Sequence, residues 1–232
     1  MRITGVATTV TDLDEAERFW RHVLRLPVDR VDGALHVSVG TTSLTLQVAP
    51  DGRATDHLAL AVPADAFEAA RRWLTERTAL LDRDGQDEFD GPPGWDSRSV
   101  YFAGPSGAVL ELIARRRLPD RTGSAPFGPE HLLGISEVGI AVSDVPAAVR
   151  TLAATAGLTP FAGTEGPDFA AVGDDHGLLV LAEEGRPWLP TRDRRATAAP
   201  LTLRVDCDEP GADAVSVDLG ATTVTASWPD TR

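Results

Sequence analysis

The chain has 232 residues, 42% hydrophobic and 25% charged, with a net charge of −13, the profile of a globular protein large enough for one big domain or two of roughly 100 residues each. The acidic balance, with no basic stripe, excludes a nucleic-acid binder, because the electrostatic term of such binding is missing. All 22 basic residues are Arg and Lys is absent, which excludes Schiff-base chemistry and a phosphate-loop lysine; the single cysteine, Cys207, excludes an internal disulfide and a zinc site built on several thiolates.

Met1 to Val10 has no apolar stretch of signal-peptide length, and no run of about 18 apolar residues occurs, so a cytoplasmic protein with no membrane partner is expected. The segment Gly5 to Val10 alternates, with Val6 and Val10 on one face, and runs into Thr11-Asp12-Leu13. It reads as a strand entering a helix whose start Thr11 or Asp12 can cap. Leu13, Ala16, Phe19, Trp20, Val23 and Leu24 form the apolar stripe of that helix. His36 to Leu46 then reads as a strand end, a tight turn and a final strand.

The same order returns. His57 to Val62 is a second strand, Phe67, Ala70, Trp73 and Leu74 a second helical stripe, and Phe102 to Leu112 a second strand-turn-strand block. Glu137 to Val145 repeats Gly5 to Leu13 at a distance of 132 positions. Its helix carries Val145, Ala148, Val149, Leu152 and Ala153, and its block runs from Ala171 to Leu181. A fourth copy is stunted: Leu201 to Val205, Val215 to Leu219 and Thr222 to Ser227 read as strands, with no helical period between them.

The repeats predict modules at residues 1–50, 55–115, 132–183 and 198–232. A linker over 116–130, where an Arg run gives way to Pro, Gly and Ser, divides them into a complete domain over 1–115 and a degenerate one over 131–232. Two long loops stand out, as lids, binding loops or disordered excursions: Leu81 to Asp96 with Trp95, and Glu183 to Ala199 with Trp188 and the cluster Arg192, Arg194, Arg195.

This arrangement resembles the vicinal oxygen chelate superfamily of glyoxalases, bleomycin-resistance proteins and extradiol dioxygenases. The carriers are the strand runs into Thr11-Asp12-Leu13-Asp14 and Ser143-Asp144-Val145, the aromatic pair Phe19-Trp20, and Gly104-Pro105-Ser106-Gly107-Ala108-Val109-Leu110-Glu111-Leu112. The resemblance implies an α+β fold of paired βαβββ modules in curved mixed sheets, arranged as two tandem domains, the second degenerate. It also implies a cup with a divalent metal (iron, manganese, zinc or nickel) at its floor. The ligand places it implies are the start of each first strand, here Gly5, His57, Glu137 and Pro200, and a position on each last strand, here Thr45, Glu111 and Val180.

Only the second module keeps both ligands, His57 and Glu111, and a divalent metal usually needs three from the protein. Glu137 completes the set if the second module pairs with the third rather than the first. Gln47 and His36, in the first module, are the other candidates to complete it. Read without the resemblance, His57 beside Asp56 is a half-buried histidine bonded to a carboxylate and Glu137 an ion-paired strand residue. His176 falls on a surface turn, and His22 and His131 receive no role. Gln47, Trp95, Tyr101 and Trp188 are expected to line a substrate pocket made roomy by small residues such as Ala59 and Ala61.

Three functions follow. The first is a metal-dependent lyase or extradiol-type dioxygenase acting on a small organic molecule. The second is a metal-independent binding or antibiotic-sequestering protein. The third is a vestigial cup in a protein that works through association, with an open sheet edge in the fourth module favouring a homodimer. No nucleophile elbow, phosphate-cradling glycine loop or metalloprotease helix is present.

Overall fold

The computed structural model describes residues 1–49, 54, 57–119, 126–208 and 214–229. The first module comprises β1 (Arg2–Val10), α1 (Leu13–Arg18), β2 (Val28–Val31), β3 (Ala34–Val39) and β4 (Thr42–Val48). The second has β5 (His57–Val62), α2 (Phe67–Thr75), β6 (Leu80–Leu81), β7 (Glu88–Asp90), β8 (Ser97–Ala103) and β9 (Val109–Arg115). The third has β10 (Gly134–Val142), α3 (Val145–Ala156), β11 (Pro160–Glu165), β12 (Phe169–Asp174) and β13 (Gly177–Glu183). The fourth retains β14 (Leu201–Asp206), β15 (Val215–Leu219) and β16 (Thr222–Ser227), with no helix among its described residues.

Local chemistry sets the helix starts. Asp12 accepts from the N–H groups of Asp14 and Glu15, and Asp144 from that of Ala147, so in both cases the aspartate is the cap. Helix α1 continues as a π-helical turn over Phe19–Val23 that buries Trp20, and α3 stops at Gly157, which takes a left-handed φ of 65°.

Every module follows one rule: its first and last strands pair in parallel, β1 with β4, β5 with β9, β10 with β13 and β14 with β16. The modules then join through antiparallel pairing of first strands. Here the structure departs from the expected division at 116–130. β1 pairs with β14, and β5 with β10. The first and fourth modules therefore build a seven-stranded sheet, β15-β16-β14-β1-β4-β3-β2, around the nine-stranded sheet of the second and third. The two sheets interleave along the chain instead of following one another.

A single apolar core joins the helix-bearing faces of both sheets, including Trp20, Leu44, Leu60, Phe67, Val138, Leu152 and Leu203. Helix α3 packs on β12 and β13 and also reaches β15 of the other sheet. The sheets are pinned where the β3–β4 turn meets Leu133. Thr41 N–H donates to the Leu133 carbonyl (3.0 Å), and Gly40, at φ 52°, lies so close that a Cβ would stand 2.3 Å from the Leu133 carbonyl carbon. The opposite face of the seven-stranded sheet is polar and open, with Ala7, Ser43, Gln47, Thr202 and Arg204 exposed. A second apolar cluster of Phe89, Trp95, Tyr101, Val180 and Trp188 covers the opposite face of the nine-stranded sheet. Among the described residues no helix is long and apolar enough to cross a membrane.

Candidate functional site

The order β10-β5-β9 brings His57, Glu111 and Glu137 onto three adjacent strands. Alternation along β5 sends Leu58 and Leu60 into the shared core and His57 and Ala59 to the other face. Ala59 is the register partner of both Glu111 and Glu137. Its methyl group is too small to separate them, so the two carboxylates and the imidazole can converge. One ligand atom from each residue lies within 4.8 Å of the other two, and all three residues are buried.

Each group is held by a named neighbour. His57 Nδ1 bonds the Val109 carbonyl at 3.0 Å, which makes Nδ1 the donor and leaves the Nε2 lone pair facing Glu111 Oε2 at 3.5 Å. Burial, opposed by that hydrogen bond, lowers the His57 pKa to about 4. Burial and then the Glu137 charge raise Glu111 to about 8, against the pull of Ser99, Arg115 and Tyr101. At neutral pH the two meet as uncharged imidazole and carboxyl. Glu137 accepts from the Arg115 guanidinium, and burial raises its pKa while Arg115 opposes the rise. Arg115 also donates to Ser136 Oγ at 3.3 Å. Burial first, then Glu111, pushes the Tyr101 phenol well up.

Above this floor lies a cavity of about 360 Å³. His57, Glu111 and Glu137 line it together with Ser97, Ser99, Ile113, Val180 and the aromatic rings of Trp95, Tyr101, Phe169 and Trp188. Trp188 stacks on the His57 ring, with centroids 5.0 Å apart. It can do so because position 139 is glycine: a Cβ there would stand 2.8 Å from the indole. Trp95 Nε1 donates to Thr164 Oγ1 at 2.8 Å, tying the 81–96 loop to the third module. The 183–199 loop forms the opposite wall, held by Trp188 N–H to the Arg194 carbonyl and by Arg194 to the Ala108 carbonyl (3.1 Å).

Trp95, Tyr101 and Trp188 thus lie in the cavity, but Gln47 does not. It is exposed on β4, in the other sheet, because its module pairs with the fourth. His36 shares that sheet, where its Nδ1 lies 3.3 Å from Thr45 Oγ1. The remaining ligand places offer nothing to a metal: Gly5 lies under the Arg204 guanidinium, Pro200 is exposed and Val180 is an apolar wall of the cavity. His176 lies exposed on the turn between β12 and β13, and Asp56 lies outside the described residues. Arg115, Ser97 and Ser99 were not singled out from the sequence. The available signal for Arg115 was its spacing, four residues beyond Glu111 and therefore on the same strand face.

No protein-family model matches the chain, and no curated protein does. Among solved structures it is similar to a "putative dioxygenase" from Bacillus subtilis subsp. subtilis str. 168, with a TM-score of 0.59 and 18% identity, covering 99% of this chain and 86% of that one. It is similar also to glyoxalase I from Zea mays, with a TM-score of 0.56 and 14% identity, covering 97% of this chain and 91% of that one. Four modules paired through their first strands into two mixed sheets, with this likeness along nearly the whole chain, give it the vicinal oxygen chelate fold.

Proposed function

We propose that the cavity over β5, β9 and β10 holds a divalent metal ion on His57, Glu111 and Glu137 and acts on a small organic molecule, in a reaction of lyase or extradiol-dioxygenase type. The observation that carries this reading is the convergence of one imidazole nitrogen and two carboxylates, all buried, within 4.8 Å of one another. Such a nitrogen and oxygen set suits iron, manganese, zinc or nickel. Arg115 balances the charge of Glu137 alone, so ionised Glu111 has no buried counter-charge, and a cation supplies it.

A divalent ion bound there supplies Lewis-acid polarisation of neighbouring substrate oxygens, or a binding position for dioxygen. The chain's own residues prepare the place. The Val109 carbonyl fixes the imidazole with Nε2 inward, Tyr101 and Ser99 hold Glu111, and Arg115 holds Glu137. The rings of Trp95, Tyr101 and Trp188 exclude water and offer flat walls to an organic ligand.

Elemental analysis of protein purified without chelator, beside His57→Ala and Glu111→Ala, tests the reading. About one equivalent of metal in the parent and none in either variant is the expected result. No metal in the parent, even after incubation with those four ions, overturns it. One observation favours a second reading, a metal-independent binding or sequestering protein: Arg115 already neutralises Glu137, and the fourth ligand place is the apolar Val180. Tight ligand binding that is indifferent to chelators, with no turnover, marks that case.

A further inference from the structure

Two of the buried side-chain atoms that lack a hydrogen-bond partner among the described residues are Ser97 Oγ and Arg115 Nε. Ser97 and Arg115 are register partners across β8 and β9. Alternation puts them on the face that carries Tyr101, Ser99, Glu111 and Ile113, at the end of the strand pair away from His57, whose own partner is Val109. The guanidinium spends its terminal nitrogens on Glu137 and Ser136, which leaves Nε–H over. Ser97 lines the cavity and is 2% exposed.

A third residue keeps this corner open. Gly91 also lines the cavity, and its N–H donates to the Ser97 carbonyl at 2.9 Å. A Cβ on Gly91 would stand 2.2 Å from Ser97 Oγ. Any other residue would therefore fill the space in front of the hydroxyl. A buried hydroxyl that lines the cavity without a partner calls for one, since an unmet donor costs more than a hydrogen bond gains.

We propose that Ser97 Oγ, across the strand pair from Arg115, forms a distal subsite that receives a carboxylate or carbonyl oxygen of a planar aromatic ligand whose other end meets the His57, Glu111 and Glu137 floor. The inference rests on reading the cavity as the ligand site and names the substrate class of that site; it does not depend on the cation. The walls of Trp95, Tyr101 and Phe169 select a flat body, and the unpartnered Ser97 hydroxyl selects its far end.

Calorimetric titration of the full chain with para-hydroxybenzoate, para-hydroxyacetophenone and para-cresol tests it, with and without chelator. The first two probes differ from the third by an acceptor at the far end, and from each other in whether that acceptor is charged. At least one is expected to bind about tenfold more tightly than para-cresol, the worth of one or two well-placed hydrogen bonds. Ser97→Ala is expected to bring that probe within about threefold of para-cresol, and Gly91→Ala, which leaves the hydroxyl in place, to do the same. Equal affinities in the parent, a preference that survives both substitutions, or no binding by any probe overturns the subsite. A preference that persists in protein unable to bind metal sinks the metal reading and leaves the subsite standing.

Discussion

The guanidinium of Arg115, at the end of the second module, bonds the carboxylate of Glu137, near the start of the third, in a site where both side chains are buried. The pair bridges the two modules and holds one of the three groups that converge under the cavity. Truncating Arg115 leaves a buried carboxylate without its partner, and such a break costs about 3 to 5 kcal/mol. Arg115→Met is therefore expected to lower stability by that amount in urea denaturation. Arg115→Met with Glu137→Gln is expected to recover most of it; a double variant as weak as the single one would locate the loss elsewhere.

The stack of Trp188 on His57 depends on a missing side chain. A Cβ on Gly139 would meet both the indole, at 2.8 Å, and His57 Cβ, at 2.9 Å. Overpacking of this kind costs about 1 to 3 kcal/mol. Gly139→Ala is expected to fall in that range and to change the tryptophan emission, and the smaller ring of Trp188→Phe in the same background is expected to relieve part of the cost. Unchanged emission in Gly139→Ala would mean that the indole does not sit where the stack requires.

Metal binding and pH are coupled through Glu111. The ion needs an ionised carboxylate, whereas burial and Glu137 raise the Glu111 pKa to about 8; His57, lowered to about 4, is already neutral. Each ion bound near neutrality thus displaces about one proton, and apparent affinity is expected to rise about tenfold per pH unit up to about 8. Isothermal titration in buffers of different ionisation enthalpy reads the proton directly. An affinity flat across that range would exclude Glu111 as a ligand.

Without a cation the same groups give stability a distinct profile. The raised pKa of Glu111 means the folded state holds a proton that the unfolded state releases from about 4.5, so its contribution is full below 4.5 and is lost as pH rises to about 8. The lowered pKa of His57 acts oppositely: its contribution is present above 6.5 and is lost as pH falls to about 4. The two nearly cancel between about 4.5 and 6.5, and stability is expected to fall from 6.5 to 8. Denaturation midpoints in chelator at three pH values check the slope, and one that rises with pH contradicts it.

One buried hydroxyl bonds strands of both sheets. Thr42 Oγ1 donates to the Ile3 carbonyl at 2.7 Å and accepts from the Ile135 N–H at 3.0 Å, linking β4 and β1 to β10. Thr42→Val keeps the shape but removes the hydroxyl that bonds both backbone groups, at about 1 to 3 kcal/mol. A loss of that size within one cooperative transition is expected by circular dichroism; two separated transitions would show that the sheets unfold independently.

Much of the architecture is legible in the chain itself, because it is written in local periods. Alternation in Val138, Ile140 and Val142, the helical stripe from Val145 to Ala153, and Asp12 and Asp144 before apolar runs are all short-range signals, and the strands and helices stand where those signals lie. The fourfold repeat, the lack of a helical period in the fourth module and the convergence of His57 with Glu111 within one module are of the same kind.

The partner of each module is not. The first strands β1, β5, β10 and β14 carry similar apolar alternation, so each edge can satisfy any of the others, and no spacing along the chain distinguishes a neighbour 52 residues away from one almost 200 away. The choice is made by contacts between distant segments, such as Gly40 against Leu133 and Thr42 between Ile3 and Ile135. That choice removes Gln47 from the cavity, brings Glu137 beside Glu111 across the methyl of Ala59, and turns Arg115 from the start of an arginine run into the buried partner of a carboxylate. The sequence by itself determined the units and the chemistry they carry; tertiary structure decided which units share a floor, because a carboxylate becomes a ligand only when packing holds it beside others in a place that water does not fill.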